Sequence, residues 1–202
     1  MNKPVILAIS AASGIIYGIR TLEFLLKNGY STELVISEHA YYIAKQELGI
    51  DLEHDREKIR QKILSYINLS DREEFLKVWL NNELWAPPAS GSYATSGMII
   101  APASMSLVAS ISSGIADNLI TRASDVIIKE KKSLVVVPRE TPLSSIHLEN
   151  LLKLSNLGVR IVPPITGFYA DIRTLDDSIN FVAGKILDAA NIENNLYKRW
   201  QP

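Results

Sequence analysis

Cysteine is absent from this sequence. Its absence removes disulfide scaffolds, cysteine-rich zinc sites, iron–sulfur clusters and thiol nucleophiles in one step. An excess of either charge is missing too, since 21 Lys and Arg stand against 22 Asp and Glu, a formal net charge of −1. That balance supplies no broad electrostatic footprint, so neither nucleic acid nor anionic lipid is expected as a partner, although a local basic pocket is compatible with it. No His/Asp/Glu grouping has metal-ligand spacing, and no metal is expected. Long hydrophobic runs are lacking as well. The charge-free stretch Leu84 to Ala116 is broken by Pro87, Pro88 and Pro102 and carries eight serines, which makes it no membrane span. The opening run Val5 to Ile9 is too short for the core of a secretion signal, and a cytoplasmic location is expected. What is present suits a folded protein: 202 residues, 47% hydrophobic and 21% charged, form one expected domain over residues 1–202 whose core needs no covalent staple.

Charge is unevenly placed. Asp51 to Glu83 holds 14 charged residues in 33 positions, and the next 33, Leu84 to Ala116, hold none. The first block reads as a solvated helical surface with mixed-sign pairs. The second must satisfy its backbone without charge and is expected to be buried or wrapped around something. Short apolar runs recur at Val5–Ile9, Glu33–Ile36, Met98–Ala101, Leu134–Val137 and Val159–Val162, each near-continuously hydrophobic as strands buried on both faces are. Helical spacing lies between and after them, in Ile15, Ile19, Leu22 and Leu26, and again in Leu175, Ile179, Val182 and Ile186. The alternation predicts a doubly wound α/β fold, Rossmann-like or flavodoxin-like, with a parallel sheet. Ligands in such sheets bind beyond the carboxyl ends of the strands, so the strand-to-helix turns are the places to search.

Five regions stand out. In Ser10-Ala11-Ala12-Ser13-Gly14 the small residues admit a ligand close to the backbone, and the helix that follows offers an anion site at its N-terminus; the same turn also reads as a plain helix cap. Ser37-Glu38-His39 places Ser37 as an N-cap with Glu47 further along the helix, either an exposed acid or a site group. Ala89-Ser90-Gly91-Ser92 and Ala101-Pro102-Ala103-Ser104-Met105-Ser106 bring hydroxyls and amides without charge, which suits a neutral heteroaromatic ring or simple capping. Arg122 and Lys129 are seven apart, close to one helix stripe, and form either an anion clamp or a salt-bridge ladder closed by Asp125. Pro138-Arg139-Glu140-Thr141-Pro142 follows the most apolar strand, and an Arg able to grip phosphate beside a Glu able to exchange a proton favours a site. Phe168-Tyr169 after Pro163-Pro164, and Trp200 in the tail, are either site aromatics or contacts between subunits.

Taken together, Ala12-Ser13-Gly14, Ala89-Ser90-Gly91-Ser92, Gly97-Met98-Ile99-Ile100-Ala101-Pro102, Ala116-Asp117-Asn118-Leu119, Arg122-Ala123 and Pro138-Arg139-Glu140-Thr141-Pro142-Leu143-Ser144 with Ile146-His147-Leu148 resemble the flavin prenyltransferases of the UbiX/Pad type. The resemblance runs in order from residue 5 to about residue 190. It implies transfer of a dimethylallyl group from dimethylallyl phosphate to N5 and C6 of reduced FMN, without a metal. The product, prenylated FMN, serves UbiD-type decarboxylases. The implied roles put Arg122, Lys129, Arg139, Tyr169 and Lys185 on the phosphate, and Glu140, Ser13, Glu47 and Tyr169 in catalysis. Ala11, Ala12, Ser13, Gly14, Ser37, Ser104, Met105 and Arg139 would hold FMN, and Trp85 and Trp200 would steady an allyl cation. Tyr169 and Lys185 are expected from a neighbouring subunit, and a homo-oligomer, commonly a dodecamer in the family, is implied. Ala11 replaces the family's usual Gly, Ala103 a frequent Cys, and Lys185 a frequent Arg, which keeps charge and loses the planar fork. Two other readings stand beside this one: a flavin-dependent decarboxylase of a cysteine-containing substrate, and a non-catalytic FMN-binding subunit.

Overall fold

The computed structural model describes residues 3–200. Six strands, β1 (Val5–Ile9), β2 (Thr32–Ile36), β3 (Leu76–Leu80), β4 (Gly97–Ala103), β5 (Leu134–Pro138) and β6 (Arg160–Ile161), form one sheet in the order β3-β2-β1-β4-β5-β6. Every pairing is parallel, with Leu7 of β1 opposite Leu34 on one side and Ile99 on the other. This is the doubly wound arrangement, its order reversing between β1 and β4.

Among the described residues seven α-helices accompany the sheet: α1 (Ile15–Lys27), α2 (Glu38–Leu48), α3 (Arg56–Tyr66), α4 (Met105–Ser112), α5 (Leu119–Lys129), α6 (Ser145–Asn156) and α7 (Leu175–Ala189). Alternate strand residues point to opposite faces, so a strand covered on both sides supplies two cores. Val5, Leu7 and Ile9 pack with Ile19 and Leu22 of α1, Ile63 of α3 and Val182 of α7. Ile6 and Ala8 pack with Val108 of α4, Ile120 of α5 and Leu154 of α6. These two layers fix the height at which the strand ends, and hence the turns, emerge.

Strand β3 corrects the sequence reading, which took Asp51–Glu83 as helical surface throughout. The block contains α3, a 3-10 turn over Ser70–Phe75 and then β3. β3 lies at the sheet's edge with Lys77 exposed at its second position, so its apolar run is interrupted where a central strand's would not be. The expected strand Val159–Val162 shrinks to Arg160–Ile161 for the related reason that it is the opposite edge. The uncharged stretch is not uniformly buried: β4 is buried at every position, whereas Trp85 is 71% exposed. Among the described residues no helix is long and apolar enough to cross a membrane.

One buried charge belongs to the scaffold. Glu33 on β2 is 2% exposed. It accepts hydrogen bonds from the Trp79 indole at 2.9 Å and from the Tyr93 phenol. Two neutral donors satisfy this carboxylate and tie β3 and the 93 loop to β2.

Candidate functional site

The turns after β1, β4 and β5 converge at the point where the strand order reverses. Ser10 Oγ donates to the Pro102 carbonyl at 3.1 Å and accepts from the Ser104 amide at 2.8 Å, which fastens the first turn to the end of β4. The Arg139 amide donates to the Ala103 carbonyl at 3.1 Å, and its Nε to the Ser13 carbonyl at 3.1 Å. Arg139 therefore spans all three turns. Ser104 caps α4, its hydroxyl accepting from the Leu107 amide at 3.2 Å.

A cavity of about 340 Å³ opens there, lined by Ala11, Ala12, Ser13, Ile43, Ser104, Met105, Arg139 and Glu140. The volume is at the small end of ligand sites. One guanidinium and one carboxylate stand in an otherwise neutral wall of alanines, serine hydroxyls and the apolar Ile43 and Met105. Such a wall fits a flat polar ring. An orphaned group nearby points the same way: the Ser37 hydroxyl, after β2, is buried and without a hydrogen-bond partner. Ser37 occupies the N-cap position of α2 as expected but makes no side-chain capping bond.

The N-terminus of α1 corrects a second expectation. Its first two amides are not left free for a ligand anion: Glu47 of α2 accepts from the Gly14 amide at 2.9 and 3.1 Å and from Ile15 at 3.1 Å. Gly14 adopts φ 94°, a left-handed turn that its lack of a side chain permits, and it does not line the cavity. Glu47 is thus a cap supplied from a second helix, and it sets the turn carrying Ser13. Tyr17, three residues beyond Gly14, has its phenol pushed up in pKa by burial, with Arg139 opposing and Glu47 reinforcing the shift. Sequence reasoning passed over Tyr17 and Ile43. Helical spacing was the available signal, since Ile43 and Glu47 are one turn apart on α2.

The other predicted residues do not reach this cavity within one chain. Arg122 and Lys129 lie on α5. Arg122 bonds Asp125 at 3.0 Å and the Ala89 carbonyl at 3.2 Å, while Lys129 pairs with Glu130. Asp125 therefore bridges only Arg122, contrary to the ladder reading. Tyr169, Lys185 and Trp200 form a second group around α7: Tyr169 stacks edge-on against Phe181 at 5.9 Å and Trp200 at 5.6 Å. Trp85 stands apart from both, edge-on to Trp79 at 5.9 Å, with the Arg56 guanidinium 4.6 Å from the Trp79 ring and 4.9 Å from the Trp85 ring. No group of three or more metal-ligating side chains is found among the described residues.

The fold and the cavity define a doubly wound sheet with a small-molecule site at its switch point. A family model described as Flavoprotein matches residues 1–187. The flavin prenyltransferase UbiX of Alkalihalophilus pseudofirmus is 42% identical over 200 residues, covering 99% of this chain and 97% of that one. The crystal structure of AnUbiX in complex with FMN and dimethylallyl pyrophosphate superposes with a TM-score of 0.87 at 33% identity, covering 100% of this chain and 99% of that one. A dodecameric FMN-dependent UbiX-like decarboxylase from Escherichia coli gives 0.86 at 34% identity, covering 98% and 100%. This chain belongs to the flavin prenyltransferase family of flavoproteins.

Proposed function

We propose that the cavity between the β1, β4 and β5 turns binds the flavin ring of reduced FMN and that the chain transfers a dimethylallyl group to it from dimethylallyl phosphate. The observation that carries this reading is the convergence of Ser13, Ser104, Met105, Arg139 and Glu140 on one cavity at the switch point. The reaction forms bonds from the dimethylallyl carbons to N5 and C6 of the flavin, breaks the allylic C–O bond, and sends its electron pair out with phosphate.

The residues divide the work by chemistry. Arg139, fixed through its Nε to the Ser13 carbonyl, keeps its other nitrogens for a phosphate oxygen. Glu140 is exposed beside it and takes up the proton released at ring closure. Ser13 offers a hydroxyl to the flavin edge from a turn that Glu47 holds still. Arg122, Lys129, Tyr169 and Lys185 complete the phosphate site from neighbouring copies in a homo-oligomer, in keeping with their separation from the cavity in one chain. Fixed cations then stabilise the departing phosphate without waiting for solvent to reorganise. Trp200, beside Tyr169, presents its indole to the allyl cation, while Trp85 already carries the Arg56 guanidinium over its ring and takes no part. The flavin product is passed to a UbiD-type decarboxylase.

Anaerobic incubation of the protein with reduced FMN and dimethylallyl phosphate, followed by mass spectrometry of the extracted flavin, tests the reading. One added five-carbon unit is expected. An unmodified flavin with both the mono- and the diphosphate would overturn it.

A further inference from the structure

We propose that Asp188 is a positioning residue that latches the C-terminal tail onto α7 and so holds Tyr169, Lys185 and Trp200 as one preset face of the transfer site. The proposal rests on the reading of those three residues as site groups.

Asp188 stands one residue before the end of α7 with its side chain partly buried, and four donor atoms meet its carboxylate. Asn194 Nδ2 donates at 2.8 Å, the Tyr197 phenol at 2.6 Å, and Arg199 at 2.8 Å through Nη1 and 2.7 Å through Nη2. The Arg199 contact is bidentate, the geometry that fixes direction as well as distance. Arg199 also donates to the Asn194 carbonyl at 3.1 Å, so the tail is folded on itself around the same carboxylate.

The rings are arranged as a consequence. Tyr197 lies 4.9 Å from Phe181, Phe181 5.9 Å from Tyr169, and Tyr169 5.6 Å from Trp200. Lys185 Nζ sits 5.9 Å from the Tyr197 ring centre. Lys185 and Asp188 also share one wall of a cavity of about 570 Å³ beside Gly167 and Phe181. Trp200, at 72% exposure, has little core to hold it, so the latch that grips the preceding residue, Arg199, decides where it points.

Gly184 supplies an independent sign that docking of the tail is built into the helix. A Cβ there would stand 2.4 Å from the Tyr197 ring and 2.9 Å from Asn194 Oδ1. Glycine inside a helix costs stability relative to alanine, and here its only gain is room for the tail. Asn194 Nδ2 also donates to the Gly184 carbonyl at 3.1 Å.

Two substitutions in the full-length protein separate latch from scaffold. Asp188→Asn removes the charge and the bidentate acceptor. Gly184→Ala improves the helix intrinsically and displaces the tail. Both are expected to speed amide exchange in residues 193–199 and to lower kcat/KM for dimethylallyl phosphate about tenfold, chiefly through KM, because a modest misplacement of site groups is enough. FMN binding is expected to stay at its wild-type strength, since the cavity lies on other elements. A freed tail with unchanged kinetics would overturn the proposal, and so would lost FMN affinity in step with kinetics. Should Asp188→Asn fail to fold, Arg199→Gln opens the latch from its exposed end. A wild-type protein that forms no adduct refutes the transfer reading itself. Tail exchange, which needs no turnover, tells that failure apart from failure of the latch.

Discussion

Replacing Glu47 by alanine removes the cap of α1 from a helix that cannot cap itself, because Gly14 has no side chain. Two amides, Gly14 and Ile15, lose the carboxylate that accepts from them at 2.9 to 3.1 Å. Loss of an N-cap costs about 0.5–2 kcal/mol, and loss of a negative charge at a helix N-terminus about 0.3–1 kcal/mol. Glu47 is solvent-exposed, so screening and rehydration of the amides put the total near the low end, about 1 kcal/mol. For a chain of this size that is a fall of about 2–4 °C in melting temperature. Glu47→Gln keeps an acceptor oxygen and is expected to lose less than half as much. Melts of flavin-free protein at one fixed concentration isolate the effect, since ligand and assembly both shift apparent stability. Amide exchange at Gly14 and Ile15 reads it locally, about tenfold faster for each 1.4 kcal/mol lost. An alanine variant with unaltered protection at these two amides would show that the cap is not energetically engaged.

Further outcomes follow from the same geometry. Arg139→Lys keeps the charge but loses the planar fork that bonds Ser13, so FMN titration is expected to show weaker binding and slower adduct formation. Arg56→Ala removes the guanidinium from the faces of Trp79 and Trp85 together with its ion pair to Glu83, and the indole emission of exposed Trp85 is expected to shift to the red. Burial pushes the Asp188 carboxyl up, but Arg199 and Tyr197 outweigh it and hold its pKa below the ordinary Asp value. A depressed folded pKa means stability that is present at neutral pH and lost as acid protonates the group. The tail is therefore expected to open below about pH 4, followed by the fluorescence of Trp200.

Much of this molecule was legible in its sequence, for a physical reason. Parallel strands buried on both faces leave unbroken apolar runs, and Val5–Ile9 and Leu134–Val137 announced β1 and β5 almost to the residue. Because ligands sit where such strands end, the turns carrying Ala11, Ala12, Ser13, Ser104, Met105, Arg139 and Glu140 could be named before any fold was seen; these seven line one cavity, whereas Gly14 and Ser37, named with them, do not. Edge strands are less legible, since one side faces solvent and tolerates Lys77. Pairings across long separations left no trace in spacing: Glu47 meets Gly14 33 positions away, and Tyr93 meets Glu33 60 positions away. Arg122 and Lys129 were visible as cations on one helical stripe, but no pattern within one chain says which cavity they serve.

The sheet's two borders also govern how copies of this chain can meet. β6 is two residues long, and β3 carries an outward lysine at its second position with α3 packed against the strand. Neither offers the long, flat row of unpaired amides and carbonyls on which a second sheet can grow. Association through continuous strand pairing, the route toward fibrous aggregates, is closed, and higher-order assembly is left to helices and loops. The exposed Ile146, Leu148 and Leu152 along α6 are then where an introduced charge should change particle size in solution while leaving the sheet intact.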